Sequence, residues 1–126
     1  MTIGKFAAAG GVGIETIRFY QRRGLLAEPD RDGGIRRYDA NDLRRLRFVR
    51  QAQTAGFTLD EIGQLLALDA NNDRDRARAM AVTRIVALDR KIAELQDARQ
   101  ALSQLATECA SGSGSSCPII RAFELS

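Results

Sequence analysis

From Arg76 to Thr107 the chain contains neither glycine nor proline, and the run is built largely from Ala, Leu, Arg, Gln and Glu. That composition predicts one long helix. Within it Ala81, Ile85, Leu88, Ile92, Leu95, Leu102 and Ala106 fall on alternating three- and four-residue steps, with Arg99 in the slot between Leu95 and Leu102. This is a heptad seam of about four repeats. The rest of the C-terminal region offers no second core, so the seam is covered most economically by its copy in a second subunit. The competing arrangement packs the stripe back on its own subunit.

A chain of 126 residues with 44% hydrophobic content buries one small core rather than two independent ones. Its net charge of +3 hides an uneven distribution. Residues 1–55 carry eleven Lys or Arg against six acids, a balance of +5, which leaves −2 for the remainder. Such asymmetry assigns a nucleic-acid partner to the front of the chain and a different task to its end.

The basic half has a recognisable layout. Ile3, Phe6 and Ala7 have helical spacing, and Gly10-Gly11 supplies the freedom a tight turn needs. In Thr16 to Leu26, TIRFYQRRGLL, Ile17 and Tyr20 share one helical face while Arg18, Arg22 and Arg23 project elsewhere. A helix, a glycine turn and a basic second helix predict a helix-turn-helix. After it, Gly33-Gly34 is placed to reverse a small hairpin carrying Arg36 and Arg37 as a wing. Guanidinium groups fork onto phosphate oxygens or onto guanine edges, so both elements suit duplex DNA. The competing reading is a merely solvated helix surface.

Ala40 to Ala55 predicts a basic amphipathic helix, with Leu43, Leu46, Phe48, Val49 and Ala52 on its apolar stripe and Asn41 or Asp42 as caps. Gly56 ends it. Thr58 then caps a helix containing Ile62, Leu65, Leu66 and Leu68, and Asp69 to Asp73 is a polar break. The expected organisation is a DNA-binding domain over 1–70, a dimerisation helix over 74–107 and a cysteine-containing effector segment over 108–126.

Cys109 and Cys117 flank ASGSGSS, and Pro118-Ile119-Ile120 follows. Thiols are normally reduced in the cytoplasm, the expected compartment, since no apolar run approaches the roughly 20 residues of a membrane span and no signal-peptide pattern opens the chain. Two thiolates suit a soft ion of low coordination number such as Cu(I), Ag(I), Au(I) or Hg(II). The chain has no His, so tetrahedral zinc would need carboxylates or water. Ile119, Ile120 and Phe123 are placed to shield the site. A reversible disulfide sensor, or two incidental thiols, are the other readings.

These segments resemble the MerR family of transcriptional regulators. The resemblance is carried by TIRFYQRRGLL at Thr16 to Leu26, IRRY at Ile35 to Tyr38, FVRQAQTAGFTLDEI at Phe48 to Ile62, and the cysteine loop ending in CPII. It implies a mainly α fold: a winged helix-turn-helix, a long helix pairing antiparallel with a second copy, and a C-terminal metal-binding loop. It further implies a homodimer on a pseudo-palindromic promoter that distorts the DNA when the effector binds, realigning the promoter for RNA polymerase. Carried over residue by residue, Arg18 and Tyr20 match the recognition helix, Arg36, Arg37 and Tyr38 match the wing, and Cys109 and Cys117 match the paired metal ligands; Thr16 and Arg22 on the same helix are expected DNA contacts with them.

Within the family, sensors of divalent ions, mercury included, resemble one another in a further cysteine near the start of the dimer helix. Here Arg74 stands at that position. The copper, silver and gold sensors are closer in using two cysteines at this spacing, although they usually have serine where this chain has Arg74. Two thiolates with a monovalent ion leave one net negative charge, which Arg74 is placed to offset from the second shell, and this favours the monovalent ions. A divalent metal sensor and a thiol-disulfide regulator are the alternatives. An enzyme is not expected, because the chain lacks His, a Gly-rich phosphate loop and a placed acid/base pair. A metal buffer would not need the basic module.

Overall fold

In the computed structural model, which describes residues 1–32, 35–111 and 117–124, Thr2 opens the first helix by accepting a hydrogen bond from the Lys5 N–H. That helix, α1, runs Ile3–Ala9. Gly10 closes it and Gly11, at φ +71°, turns the chain toward α2, Ile14–Arg22. The left-handed φ explains why glycine is needed at this turn. Two short antiparallel strands follow, β1 (Arg31–Asp32) and β2 (Ile35–Arg36), with Arg31 opposite Arg36 and Asp32 opposite Ile35. Gly33-Gly34, the expected reversal, lies outside the described residues.

The Tyr38 N–H donates to the Met1 carbonyl at 2.8 Å, fastening the chain after β2 to the start of α1. α3 (Ala40–Thr54) and α4 (Leu59–Ala70) then complete the core. Phe6, Ile17, Leu46, Val49 and Ile62, from four different helices, are fully buried together. Four short helices thus become stable by sharing one apolar centre.

Several expectations are corrected here. Asp39, rather than Asn41 or Asp42, caps α3: its carboxylate accepts from the Asp42 N–H at 2.9 Å while Asp42 accepts from the Asp39 N–H at 2.8 Å. The capping bond to the Asp42 backbone also holds the Asp39 carboxyl below its ordinary pKa. Phe48 leaves the apolar stripe, at 38% exposure, because it stands about 200° around the helix from Leu46. Thr58 caps α4 as expected, in a reciprocal box with Glu61.

The long helix α5 runs Arg74–Ser111, further than Thr107, because nothing in ATECAS breaks a helix. α6 covers Pro118–Glu124. The chain divides into two compact units, Met1–Arg84 and Ile85–Ser126, so the first part of α5 groups with the helix-turn-helix. Along the second unit Ile85, Ile92, Leu95 and Leu102 are exposed, Leu95 by 57%.

Candidate functional site

Two side chains orient α2, the helix expected to read DNA. Ile17 is completely buried and Tyr20 is 2% exposed. At about 100° per residue, these fix the opposite face of α2 as the one carrying Glu15, Arg18 and Arg22, all of them exposed. Arg18 Nη1 lies 3.7 Å from Glu15 Oε1. Thr16 is half-buried to one side. Arg23 is occupied structurally, with Nη2 2.9 Å from Asp60 Oδ1 of α4 and its guanidinium 6.0 Å from the centre of the Phe19 ring.

A cleft of about 550 Å³ opens beside this face, lined by Thr2, Ile3, Arg18, Gln21, Arg22, Leu26, Glu28 and Tyr38. It joins the basic helix to the segment after the strands. Arg37 is exposed there, whereas the Arg36 side chain lies outside the described part of the structure. Leu25 and Leu26 are both buried, Leu26 forming part of the cleft wall, and Arg45 Nε donates to the Leu25 carbonyl at 2.7 Å, bracing the turn after α2.

Two expected contact residues are placed differently. Tyr20 is in the core, and its hydroxyl is taken by donating to Gln53 Oε1 of α3. Its ring is packed on the helix's inner face. Tyr38 is 3% exposed, its ring stacked on Phe6 at 4.3 Å between centroids. Its hydroxyl accepts from Gln21 Nε2 at 2.9 Å, and the residue lines the cleft. Helical spacing alone puts Tyr20 on the Ile17 face, whereas nothing local in the sequence puts Tyr38 in the core. The partner amides Gln21 and Gln53 were the missed signal.

The second candidate site is the thiol pair. Cys109 lies in the last turn of α5, not after the helix, and Cys117 immediately precedes α6. Residues 112–116 and the Phe123 side chain lie outside the described part. Both cysteines are half-buried free thiols and hydrogen-bond to each other. The Cys117 sulfur accepts from Cys109 and from the N–H groups of Ile119 and Ile120, which pulls its pKa below the ordinary thiol value. The same bond, with desolvation, pushes Cys109 up, since its proton is held between the sulfurs. Ile119 is half-buried, whereas Ile120 is exposed.

Among the described residues, no group of three or more His, Cys, Asp or Glu is placed to hold a metal ion. Arg74 is exposed at the first position of α5. No described helix is long and apolar enough to cross a membrane.

Comparison with known proteins agrees with this architecture. Residues 1–69 match the model of the MerR HTH family of regulatory proteins, and residues 43–105 match that described as MerR, DNA binding. The mercuric resistance operon regulatory protein of Pseudomonas fluorescens is 45% identical over 126 residues, covering 98% of this chain and 88% of that protein. The transcription regulator PbrR691 from Ralstonia metallidurans CH34, solved in complex with lead(II), is 32% identical with a TM-score of 0.69 over 98% of each chain. HiNmlR, a regulator lacking the sensor domain and solved bound to promoter DNA, is 25% identical with a TM-score of 0.69 over 82% of this chain and 84% of its own. From the winged helix-turn-helix through most of the long helix, the chain belongs to the MerR HTH family of regulatory proteins.

Proposed function

We propose that this chain is a metal-responsive transcription regulator that binds a pseudo-palindromic promoter as a homodimer and activates a metal resistance or efflux gene when Cys109 and Cys117 take up a soft ion. The observation that carries this reading is the pair of half-buried thiols in hydrogen-bond contact, a contact that holds Cys117 below and Cys109 above the ordinary thiol pKa. Two sulfurs with no third strong ligand among the described residues suit an ion content with low coordination, which favours Cu(I), Ag(I), Au(I) or Hg(II) over zinc. The charge argument favours the monovalent ions; the 45% identity to a mercuric regulator supports Hg(II) as strongly.

The exposed seam of α5 supports the homodimer, since covering Ile85, Ile92, Leu95 and Leu102 removes apolar surface from water. In an antiparallel pairing the first turn of one α5 lies near the last turn of the other. Arg74 then acts on the thiol pair of the partner subunit, not on its own. Two recognition helices presented by one dimer read two half-sites, and effector-driven untwisting between them brings the promoter into register for RNA polymerase.

The test is transcription in vitro from the chain's own upstream region with purified polymerase, in reductant, with and without each ion. Activation by a soft ion that disappears in Cys109→Ser and Cys117→Ser supports the reading. Activation by peroxide in the absence of metal, with no response to any ion, replaces it with the thiol-disulfide regulator, which the same sulfur contact favours.

A further inference from the structure

Glu15 is out of place on a surface meant for phosphates. It is 84% exposed at its side chain, in the first turn of α2, on the face opposite buried Ile17 and Tyr20. Arg18 and Arg22 follow at i+3 and i+7 on that same face. A carboxylate aimed at a polyanion is repelled, and a salt bridge this exposed does little to offset that. The outward face of a recognition helix also meets base edges, however, and it is the helix's N-terminal residues that reach them. In the major groove an ionised carboxylate has a good partner in the cytosine N4 amine, to which it can only accept.

We propose that Glu15 is a specificity-determining residue that reads a cytosine in each half-site. Arg18 is placed to complement it. Its Nη1, 3.7 Å from Glu15 Oε1, stands at a separation close to the roughly 3.4 Å rise between base steps. The guanidinium reads guanine O6 and N7 while the carboxylate takes N4 of a cytosine in the same or the adjoining pair. The Glu15–Arg18 contact shows that the two heads reach the same stretch of groove. This rests on the DNA-binding reading of α2, and it names which base that helix requires.

The experiment selects duplexes from a randomised double-stranded pool with the full-length wild-type protein, then with Glu15→Gln and Glu15→Ala. Wild type is expected to require cytosine at one position per half-site. Glutamine pairs with adenine, so E15Q is expected to shift that one position from C to A, while E15A relaxes it and lowers discrimination about tenfold or more. Other positions keep their preferences. If Glu15 only repels phosphate, both variants instead bind every duplex tighter by one common factor and select the same sequence as wild type, and the inference falls while DNA binding stands. If wild type selects no sequence, the regulator reading falls with it. Because Glu15 is solvent-exposed, circular dichroism of both variants is expected to match wild type.

Discussion

Arg84 Nη1 donates to the carbonyl oxygen of Gly56 at 2.9 Å, so a guanidinium from the long helix is seated on the turn between α3 and α4. The seat depends on glycine. Gly56 has φ +94°, and a Cβ there would stand 3.2 Å from Arg84 Cζ. The buried Arg84 Nε has no hydrogen-bond partner among the described residues, so the Gly56 carbonyl is what holds this group.

Gly56→Ala is therefore expected to cost about 1–2 kcal/mol from the left-handed backbone alone, with a further loss as Arg84 is displaced. Urea unfolding of Gly56→Ala in the wild-type and Arg84→Ala backgrounds separates the two contributions. Equal costs in both backgrounds would show that Arg84 does not feel the added methyl.

Two other glycines make an opposed pair. A Cβ on Gly10 would overlap Leu46 Cδ2 in the core, whereas a Cβ on Gly4 meets nothing within 4 Å. Gly10→Ala is expected to destabilise by about 1–3 kcal/mol through overpacking. Gly4→Ala, inside α1, is expected to stabilise by about 0.5–1 kcal/mol. Thermal unfolding of both variants checks the sign, and a Gly10→Ala protein as stable as wild type would mean that Leu46 repacks freely.

Tyr20 and DNA can be separated by removing one oxygen. Tyr20→Phe leaves the Gln53 acceptor unpaired in a part-buried position and is expected to cost about 1 kcal/mol of stability. Affinity for a selected duplex is expected to stay within about twofold of wild type, since the residue faces the core. A large affinity loss with unchanged stability would return Tyr20 to the DNA surface.

Much of this architecture is legible in the sequence. Periodicity placed α1, α2, the α3–α4 pair and the long helix, because apolar residues at helical spacing must share one inward face. The thiol pair was legible as two cysteines around a Gly/Ser stretch, and their mutual hydrogen bond gives that spacing its chemical content. What could not be read was which polar atoms partner each other across helices. Tyr20 with Gln53 and Tyr38 with Gln21 are contacts of tertiary structure; spacing alone puts Tyr20 on the inward face with Ile17, but nothing local puts Tyr38 in the core. The cap at Asp39 is not legible from sequence, because three acceptors within four residues, Asp39, Asn41 and Asp42, compete for one helix start.

The proton held between the sulfurs sets a pH dependence. Cys117 is lowered and Cys109 raised, so between their two pKa values the pair carries one proton, which an ion bound by both thiolates must displace. The apparent affinity for a soft ion is then expected to rise with pH by about tenfold per unit in that window, and more steeply below it, where Cys117 is protonated too. Titrations against a competing chelator across this range read the slope directly. An affinity that does not change with pH would mean that one sulfur is not a ligand.

The central claim is that Cys109 and Cys117 together hold a soft ion. It is tested most directly by competition titration of the reduced protein with Cu(I), Ag(I), Hg(II), Zn(II) and Cd(II), alongside Cys109→Ser and Cys117→Ser, with metal counted per dimer. The account predicts tight binding of Cu(I), Ag(I) or Hg(II) that vanishes in both variants, with Zn(II) and Cd(II) held weakly. No tight binding of any ion by the wild type, or tight binding that survives loss of either cysteine, would contradict it.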